Sequence, residues 1–283
     1  MPKTIEAALS IAKKALMAVS ETPDLDARLL LAFVLDVDTS YLYTWPERML
    51  TMKQQGDFEQ LVSQRTHGKP VAYITGWQDF WSLRLKVNEA TLIPRADTEI
   101  IVEVVLQKFS TRKALSVLDL GTGSGAIALA LAFEKPDWQI TATDISTKAL
   151  AVAKDNATRY GLANITFIQS HWYENLQNQR YDVIISNPPY IEHNDVNLCL
   201  YVKKYEPMPA LISAQNGLAD IKEIIKKAPL HLHPDGFMII EHGFEQAHAV
   251  EKIYRQFCFE SVQTHCDLSG HKRASSAVYP ACK

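Results

Sequence analysis

Four consecutive residues, Asn187-Pro188-Pro189-Tyr190, can bind and orient a planar nitrogen. They follow an apolar run, residues 181–186, that predicts a buried strand. The Asn187 side-chain oxygen and the Pro188 carbonyl can accept hydrogen bonds from the nitrogen, which makes it more electron-rich and holds it in line with a donor. The prolines keep the loop rigid, and the Tyr190 ring can pack against a planar group or a cation. We predict that Asn187, Pro188 and Tyr190 are catalytic and that all four residues bind the substrate.

A second motif, Asp-Leu-Gly-Thr-Gly-Ser-Gly from Asp119 to Gly125, joins a predicted strand to a predicted helix. Glycines at alternate positions let the backbone pass close to a ligand. Asp144, 19 residues after Gly125, ends the next strand, where a ribose-binding carboxylate is expected. The G-x-G-x-G spacing disfavours a nicotinamide or flavin cofactor, which prefers G-x-G-x-x-G. Carboxylates here would repel a pyrophosphate and suit a positively charged sulfonium cofactor.

The two motifs lie about 60 residues apart and complement one another chemically. A sulfonium donor carries a methyl group that an oriented planar nitrogen can accept. Orientation of this kind can supply several kcal/mol without a strong base. The reaction needs no Ser-His-Asp, Cys-His or metal arrangement, and we assign no metal site.

Residues 1–70 are predicted to form a small helical domain. Thr4 can cap the first helix, Thr22-Pro23 marks the start of a second, and residues 50–66 form a third helical stretch. The first 76 residues carry 8 Lys plus Arg and 9 Asp plus Glu, a balance unlike that of a DNA-reading domain.

Residues 71–94 are predicted to form a β-hairpin linker. Its extended segments are Val71–Ile74, Phe80–Val87 and Thr91–Ile93, where aromatic and β-branched residues are frequent.

From residue 95 to residue 283 the pattern alternates between strands and helices, which indicates a parallel sheet with helices on both faces. The predicted strands are 117–120, 139–143, 165–169, 183–186 and 237–241, and the predicted helices are 126–133 and 146–160.

Composition restricts the class of protein. The 283 residues are 47% apolar and 22% charged with a net charge of -3, which is typical of a globular protein and argues against a nucleic-acid substrate. No apolar run approaches the length of a membrane span. The four cysteines, Cys199, Cys258, Cys266 and Cys282, lack the spacing of a zinc site and are expected to be reduced thiols. We expect a soluble cytoplasmic monomer.

Further segments match one family. They are Leu25 to Leu30, Leu92 to Glu99, Tyr205-Glu206-Pro207, Ala210-Leu211, Gly217-Leu218, Glu241-His242-Gly243 with Gln246, and Asp267 with Gly270 and Arg273. With the two motifs above, they make the chain resemble the release-factor glutamine methyltransferases of the HemK type over nearly its whole length. This family belongs to the class I methyltransferases that modify exocyclic or amide nitrogens.

The resemblance implies an α/β fold, with a Rossmann-like class I methyltransferase domain joined by a β-hairpin to the helical domain. It implies S-adenosylmethionine as methyl donor and, as acceptor, the glutamine amide nitrogen in the Gly-Gly-Gln loop of class I peptide chain release factors, which the helical domain would help to dock. The residues that it implies for cofactor binding are Gly121, Thr122, Gly123, Ser124, Gly125, Asp144 and Trp172, with Asn187 near the donor.

The chain departs from the family pattern at two positions. Ala96 stands where the family usually has proline, which costs rigidity. His171 stands where the family often has an acid, and a neutral histidine can accept the hydrogen bond of an adenine amino group in its place.

Three alternatives stay open. A DNA adenine or RNA guanine N-methyltransferase can share the Asn187–Tyr190 chemistry, but it needs a basic surface to grip phosphates. A ribosomal-protein glutamine methyltransferase would differ only in its substrate, and the sequence from Ile93 to Glu99 favours release factors over it. A module that binds release factor or ribosome without catalysis would not need the Asn187–Tyr190 loop.

Overall fold

The computed structural model describes residues 2–193, 195 and 198–281. Its helices are α1 (Ile5–Leu16), α2 (Pro23–Leu35), α3 (Thr39–Thr44), α4 (Met52–Thr66), α5 (Val71–Thr75), α6 (Glu99–Lys108), α7 (Ala126–Glu134), α8 (Thr147–Arg159), α9 (Leu200–Tyr205), α10 (Ala214–Gly217), α11 (Ala219–Lys227) and α12 (Ala247–Gln256). Its strands are β1 (Trp77–Phe80), β2 (Leu83–Lys86), β3 (Ser116–Leu120), β4 (Gln139–Asp144), β5 (Ile165–Gln169), β6 (Tyr181–Ser186), β7 (Ile191–Glu192), β8 (Ile212–Ser213), β9 (Leu232–Glu241), β10 (Glu260–Cys266) and β11 (Lys272–Tyr279). A short 3₁₀ turn, Ala96–Thr98, precedes α6.

The first compact unit comprises the residues up to Trp77 together with α9. The Thr4 hydroxyl accepts a hydrogen bond from Ala7 N at 3.2 Å, so the predicted cap of α1 is confirmed. Helix α2 begins at Pro23 as predicted, although the side chain of Thr22 makes no capping bond. Apolar faces of α1, α2 and α4 form the core of this unit, because each helix repeats its apolar residues every three to four positions.

The prediction of an extended segment at Val71–Ile74 is wrong, because these residues begin the helix α5. Pro70 precedes the helix with an extended backbone, and Gly76 ends it at a φ of 82°. The Gly76 N–H donates to the Ala72 carbonyl at 2.8 Å. The start signal at Pro70 and the stop signal at Gly76 favour a helix more strongly than the β-branched residues of this segment favour a strand.

The β-hairpin itself is present but shorter than predicted. Strands β1 and β2 pair within a two-stranded sheet, and the chain turns at Trp81, which has a φ of 55°. Thr91–Ile93 is not a strand. The Ile93 N–H, for example, donates to the buried Glu206 carboxylate at 3.1 Å instead of to a neighbouring strand.

The second compact unit, Gln78–Cys199 with Glu206–Lys283, contains a seven-stranded sheet within the described residues. The strand order is β10-β11-β9-β6-β3-β4-β5. Strands β9, β6, β3, β4 and β5 are parallel to their neighbours in this series, as the alternating pattern predicts. All five predicted strands and both predicted helices of this region are confirmed, with ends shifted by a few residues.

The antiparallel edge made by β10 and β11 is not predicted by the sequence pattern. Strand β10 is largely exposed and polar, so it lacks an apolar alternation. Strand β11 buries small residues, among them Ser275 and Ser276, whose hydroxyl groups form hydrogen bonds with the His242 and His265 rings. Such polar burial carries no hydrophobic signal in the sequence.

The sheet is covered on both faces. Alternate strand residues such as Val117 and Ile185 pack against α6, α7 and the hairpin, whereas Leu118 and Ile184 pack in a second core with α11 and α12. Three-layer packing of this kind leaves only the strand ends accessible, and ligands bind there in open α/β sheets.

None of the helices in the described part of the chain combines the length and apolar character that a bilayer span requires. Cys199, Cys258 and Cys266 are exposed free thiols, as predicted, and Cys282 lies outside the described residues.

Asn156 of α8 connects the hairpin to the glycine motif. It is fully buried, its Oδ1 accepts from Lys86 N at 2.8 Å, and its Nδ2 donates to the carbonyls of Lys86 and Ser124 at 3.0 Å each. One amide side chain therefore satisfies three backbone groups, which would otherwise be costly to bury.

We expect Asn156→Ala to lower the free energy of unfolding by about 2–4 kcal/mol, because it leaves buried backbone groups without partners. Urea denaturation measures this change. Asp155→Asn is the matched control, since that neighbouring side chain is exposed and its change should stay below about 1 kcal/mol. Equal stability of the two variants would contradict the assigned role of Asn156.

Candidate active site

Four adjacent parallel strands end at one edge of the sheet in a common register. Leu120 of β3 is aligned with Thr143 of β4 and with Ser186 of β6, and Ser186 is aligned with Ile240 of β9. The next residue on each strand is part of the candidate site. These residues, in the order β4, β3, β6 and β9, are Asp144, Gly121, Asn187 and Glu241. The fold thus brings the predicted cofactor and catalytic residues into one row.

The glycine turn at the end of β3 is held by Asp144. One carboxylate oxygen accepts from Gly123 N at 2.9 Å and the other from Ser146 N at 2.8 Å. Gly123 has a φ of 58° and open space where a Cβ would stand. The turn therefore needs glycine for its backbone conformation and presents an uncovered surface that a ligand can approach.

Asp119, the acid that opens the motif, is buried and accepts from the Thr122 hydroxyl at 2.6 Å. Burial raises the pKa of its carboxyl to about 7, and the nearby charge of Asp144 adds to the shift. Burial also raises the pKa of Asp144. A cation bound beside these carboxyls would favour their ionised forms, so the donor set suits a sulfonium group.

Trp172 lines the same turn. A Cβ on Gly121 would lie 3.3 Å from the Trp172 ring, so the absence of a side chain at Gly121 leaves room for the indole. The indole Nε1–H is buried and has no hydrogen-bond partner among the described residues. An unpaired buried donor is costly, and a ligand acceptor would satisfy it.

His171 lies beside Trp172, with ring centroids 5.8 Å apart. Its Nδ1 is 3.1 Å from a Glu174 carboxylate oxygen, and both side chains are substantially exposed.

The Asn187–Tyr190 loop after β6 presents the predicted acceptors. The Asn187 Nδ2 donates to the Thr98 hydroxyl oxygen at 3.2 Å. The nitrogen of the side-chain amide is therefore the atom that binds to the protein. Among the described residues, no hydrogen bond is made to Asn187 Oδ1 or to the Pro188 carbonyl. Both oxygens are therefore available to a substrate N–H.

Tyr190 is fixed at both ends. Its hydroxyl donates to Glu241 Oε1 at 3.1 Å, and its backbone carbonyl accepts from Gln246 Nε2 at 3.0 Å. Burial raises the pKa of the phenol, so Tyr190 stays protonated and acts as a donor. Tyr190 therefore offers a fixed ring surface for packing and does not act as a base.

Glu241 is the site residue whose importance the sequence analysis did not predict. It is 1% exposed, and its Oε2 has no hydrogen-bond partner among the described residues. Burial raises the pKa of its carboxyl to about 7. The Glu-His-Gly match at Glu241 is a sequence signal for this residue, but its burial beside Asn187 is visible only in the folded protein.

The segment before α6 is held against the sheet edge by ion pairs. Arg95 contacts the buried Glu206 at 2.5 Å, and Asp97 contacts Arg273 of β11 at 2.9 Å. Thr98, between these anchors and α6, is 3% exposed. The segment thereby places Thr98 next to Asn187, a role that its sequence alone does not reveal.

Comparison with known proteins shows which family the chain belongs to. The PrmC N-terminal domain family matches residues 7–76, and the Methyltransferase small domain family matches residues 95–203. A release factor glutamine methyltransferase of Vibrio cholerae is 44% identical over 281 residues, which cover 99% of this chain and 98% of the relative. One from Salmonella typhimurium is 42% identical over 256 residues, covering 90% and 92%.

This chain belongs to the release factor glutamine methyltransferase family. The predicted family and α/β fold class are confirmed. Membership implies methylation that depends on S-adenosylmethionine.

Solved structures share the fold of about two thirds of the chain. A methyltransferase from Pyrococcus furiosus aligns with a TM-score of 0.53 at 20% identity, covering 71% of this chain and 91% of that one. A ribosomal protein L11 methylase from Lactobacillus delbrueckii subsp. bulgaricus aligns with a TM-score of 0.50 at 18% identity, covering 68% and 82%. At this identity the likeness establishes the fold alone.

We expect Asp144→Asn to weaken S-adenosylmethionine binding by about 10- to 100-fold, because an amide can accept at only one of its two contacts with Gly123 and Ser146. Isothermal titration calorimetry measures the affinity. Asp137→Asn is the control, since that exposed acid precedes β4 at the opposite edge of the sheet. Unchanged affinity in Asp144→Asn would refute the role of this carboxylate.

Proposed function

We propose that the protein transfers a methyl group from S-adenosylmethionine to the side-chain amide nitrogen, N5, of the glutamine in the Gly-Gly-Gln loop of class I peptide chain release factors. The observation that carries this proposal is the alignment of the Asn187 loop with the glycine turn in one row of strand ends. The family of the chain supports the choice of substrate.

The proposed cofactor site is built from residues of three strand ends and one loop. They are Gly121, Thr122, Gly123, Ser124, Gly125, Asp144 and Trp172, with Asn187 beside the donor. The open turn at Gly123 and the unpaired Nε1 of Trp172 support this assignment. When bound, S-adenosylmethionine supplies a methyl group on a positively charged sulfur.

The protein's part in the reaction is to orient a weak nucleophile. The glutamine amide nitrogen has a delocalised lone pair, and its two N–H groups would donate to Asn187 Oδ1 and the Pro188 carbonyl. Acceptance by both oxygens raises electron density on the nitrogen and points it toward the methyl carbon. Transfer would form the N–C bond as the donor's C–S bond breaks, leave S-adenosylhomocysteine as a neutral thioether, and release one amide proton to solvent water.

The rest of the loop shapes the acceptor site. Pro188 and Pro189 restrict φ, which keeps the Pro188 carbonyl in place. Neither proline has a backbone N–H that could compete with the substrate for an acceptor. Tyr190, held by Glu241, would pack against the planar amide or the donor's methyl group.

The helical domain, residues 1–70, is proposed to dock the release factor, with residues 71–94 as linker and residues 95–283 as catalytic domain. Its near-neutral charge suits a protein partner better than a nucleic acid. The match of residues 7–76 to the PrmC N-terminal domain family supports this assignment.

We expect Asn187→Ala to lower kcat by about 100-fold or more while the fold is retained, because it removes one of the two acceptors that orient the nitrogen. Mass spectrometry of a class I release factor, incubated with enzyme and S-adenosylmethionine, measures methyl transfer and locates it. Asn178→Ala, at an exposed position, is the matched control and should keep full activity.

The same experiment separates the substrate hypotheses. A methyl group on the Gly-Gly-Gln glutamine supports the proposal. Methylation of ribosomal protein or duplex DNA, with release factor unmodified, would replace the substrate but keep the chemistry. Near-normal turnover by folded Asn187→Ala would refute the role given to Asn187.

A further inference from the structure

Tyr190 ends the Asn187–Tyr190 loop, and the position of its backbone bears on where the Pro188 carbonyl points. The Pro189 ring locks φ between the two carbonyls, but ψ of Pro189 and both dihedrals of Tyr190 can rotate. The prolines therefore restrict the Pro188 carbonyl without setting its final direction. Contacts that hold the backbone of Tyr190 complete the task.

Gln246 makes such a contact with its side-chain amide. Its Nε2 donates to the carbonyls of Tyr190 and Asn216 at 3.0 Å each, and its Oε1 accepts from Gly243 N at 2.8 Å. A flipped amide would turn its oxygen toward two carbonyls and its N–H groups toward a backbone N–H, so these partners permit one orientation. One side chain thus joins three separate backbone segments.

The turn that Gln246 contacts has an uncommon backbone conformation. Its residues Gln215, Asn216 and Gly217 have φ values of 56°, 57° and 79°. Residues other than glycine rarely adopt this left-handed region, and such strain persists where the surrounding structure holds it, often at functional sites. The hydrogen bond from Gln246 to the Asn216 carbonyl is one of the contacts that hold this turn.

The same turn lies directly against Tyr190. A Cβ on Gly217 would overlap the Tyr190 carbonyl oxygen and would stand 2.7 Å from Gln246 Nε2. The N–H of Ile191, the next residue, donates to the Leu211 carbonyl at 3.0 Å beside the short β7–β8 pair, which leads into the turn. Glycine therefore permits the close approach of turn and loop that Gln246 then fastens.

We propose that Gln246 is a positioning residue: by tying the Tyr190 carbonyl to the adjacent turn, it keeps the Pro188 carbonyl directed at the substrate nitrogen. Glu241 holds the Tyr190 hydroxyl at 3.1 Å, so the ring and the backbone of Tyr190 are held by separate side chains. This inference rests on the proposed function, since it assumes that the Pro188 carbonyl accepts from a substrate N–H. Gln246 itself need not touch the substrate.

The first test replaces the donors of Gln246 and keeps its size. Gln246→Glu can still accept from Gly243 N but cannot donate to the two carbonyls. We expect kcat for methylation of a class I release factor to fall by about 10- to 100-fold, because the acceptor is no longer oriented. The KM for S-adenosylmethionine should stay within about twofold, since Asp144 holds the glycine turn.

Gln246→Met, which lacks donors and acceptor, should show the same loss of kcat. The matched control is Gln256→Met, at the exposed last position of α12, which should keep full activity. Near-normal kcat in both Gln246 variants would overturn the proposal. A loss in Gln246→Met with normal kcat in Gln246→Glu would assign the effect to the Gly243 contact and would also overturn it.

The contact between turn and loop has its own test. Gly217→Ala should lower kcat at least as much as Gln246→Glu, because the added Cβ displaces the Tyr190 carbonyl. Gly161→Ala is the matched control: Gly161 also has a left-handed φ, 64°, but a Cβ there would meet nothing within 4 Å. Equal kcat in the two alanine variants would contradict the proposed contact.

A further readout needs no substrate. Labelling tyrosine with ¹³C at the carbonyl and isoleucine with ¹⁵N gives a nuclear magnetic resonance signal for each Tyr-Ile pair, and the sequence has two, Tyr73-Ile74 and Tyr190-Ile191. Tyr190→Phe identifies the second signal by removing it. We expect the Tyr190 carbonyl shift to move in Gln246→Glu and Gln246→Met, because a hydrogen bond is lost, whereas the Tyr73 signal stays as an internal reference.

The kinetic and spectroscopic results fail in distinguishable ways. An unmoved Tyr190 signal in both Gln246 variants would overturn the inference. A moved signal with unchanged kcat would show a bond that does not position the acceptor, and would overturn it as well. A moved signal together with a wild type that is inactive on release factor would overturn the proposed substrate and leave the hold of Gln246 on the loop supported.

Discussion

The in-register pairing of four parallel strands determines where the site lies. Strands β4, β3, β6 and β9 stop at the same level, so the residues that follow them face a common space although they are far apart in sequence. Asp144 and Asn187 come from strands on either side of β3, whose glycine turn lies between them. A shift of one residue in this register would move the Asn187–Tyr190 loop by about 3.3 Å relative to the turn and reverse its side chains. The burial of strand residues on both faces strongly disfavours such a shift.

Charge is concentrated at this edge in an unusual way. Asp119 and Glu241 are each 1% exposed, and burial raises the pKa of both carboxyls to about 7. Unpaired buried carboxylates are destabilising, and natural proteins keep them mainly at functional sites. Here Asp119 lies at the proposed cofactor side and Glu241 at the acceptor side. A cationic methyl donor would favour the ionised form of the first, and the Tyr190 hydroxyl donates to the second at 3.1 Å.

The elements outside the parallel sheet serve to hold the loops at its edge. Asn156 connects the hairpin to the glycine motif through three backbone hydrogen bonds. Glu206 accepts from the Ile93 backbone and pairs with Arg95, and Arg273 pairs with Asp97. Thr98 is thereby placed beside Asn187 by contacts that lie outside the Asn187–Tyr190 loop. Rigidity of this kind is what an enzyme needs when its chemistry depends on orientation more than on a strong base.

The sequence by itself determined the class of fold, the family and the two central motifs. Apolar runs, glycine spacing and the Asn187–Tyr190 loop are patterns of residues close together in the chain, so they can be recognised from the sequence alone. The tertiary structure alone decided which polar residues support those motifs. Val71–Ile74 became helical with Val71 and Ile74 packed against the core of the first unit, and β11 joined the sheet with its serines buried. Burial and long-range strand pairing, which no local pattern encodes, placed the Glu241 carboxyl beside Asn187 and within hydrogen-bonding distance of Tyr190.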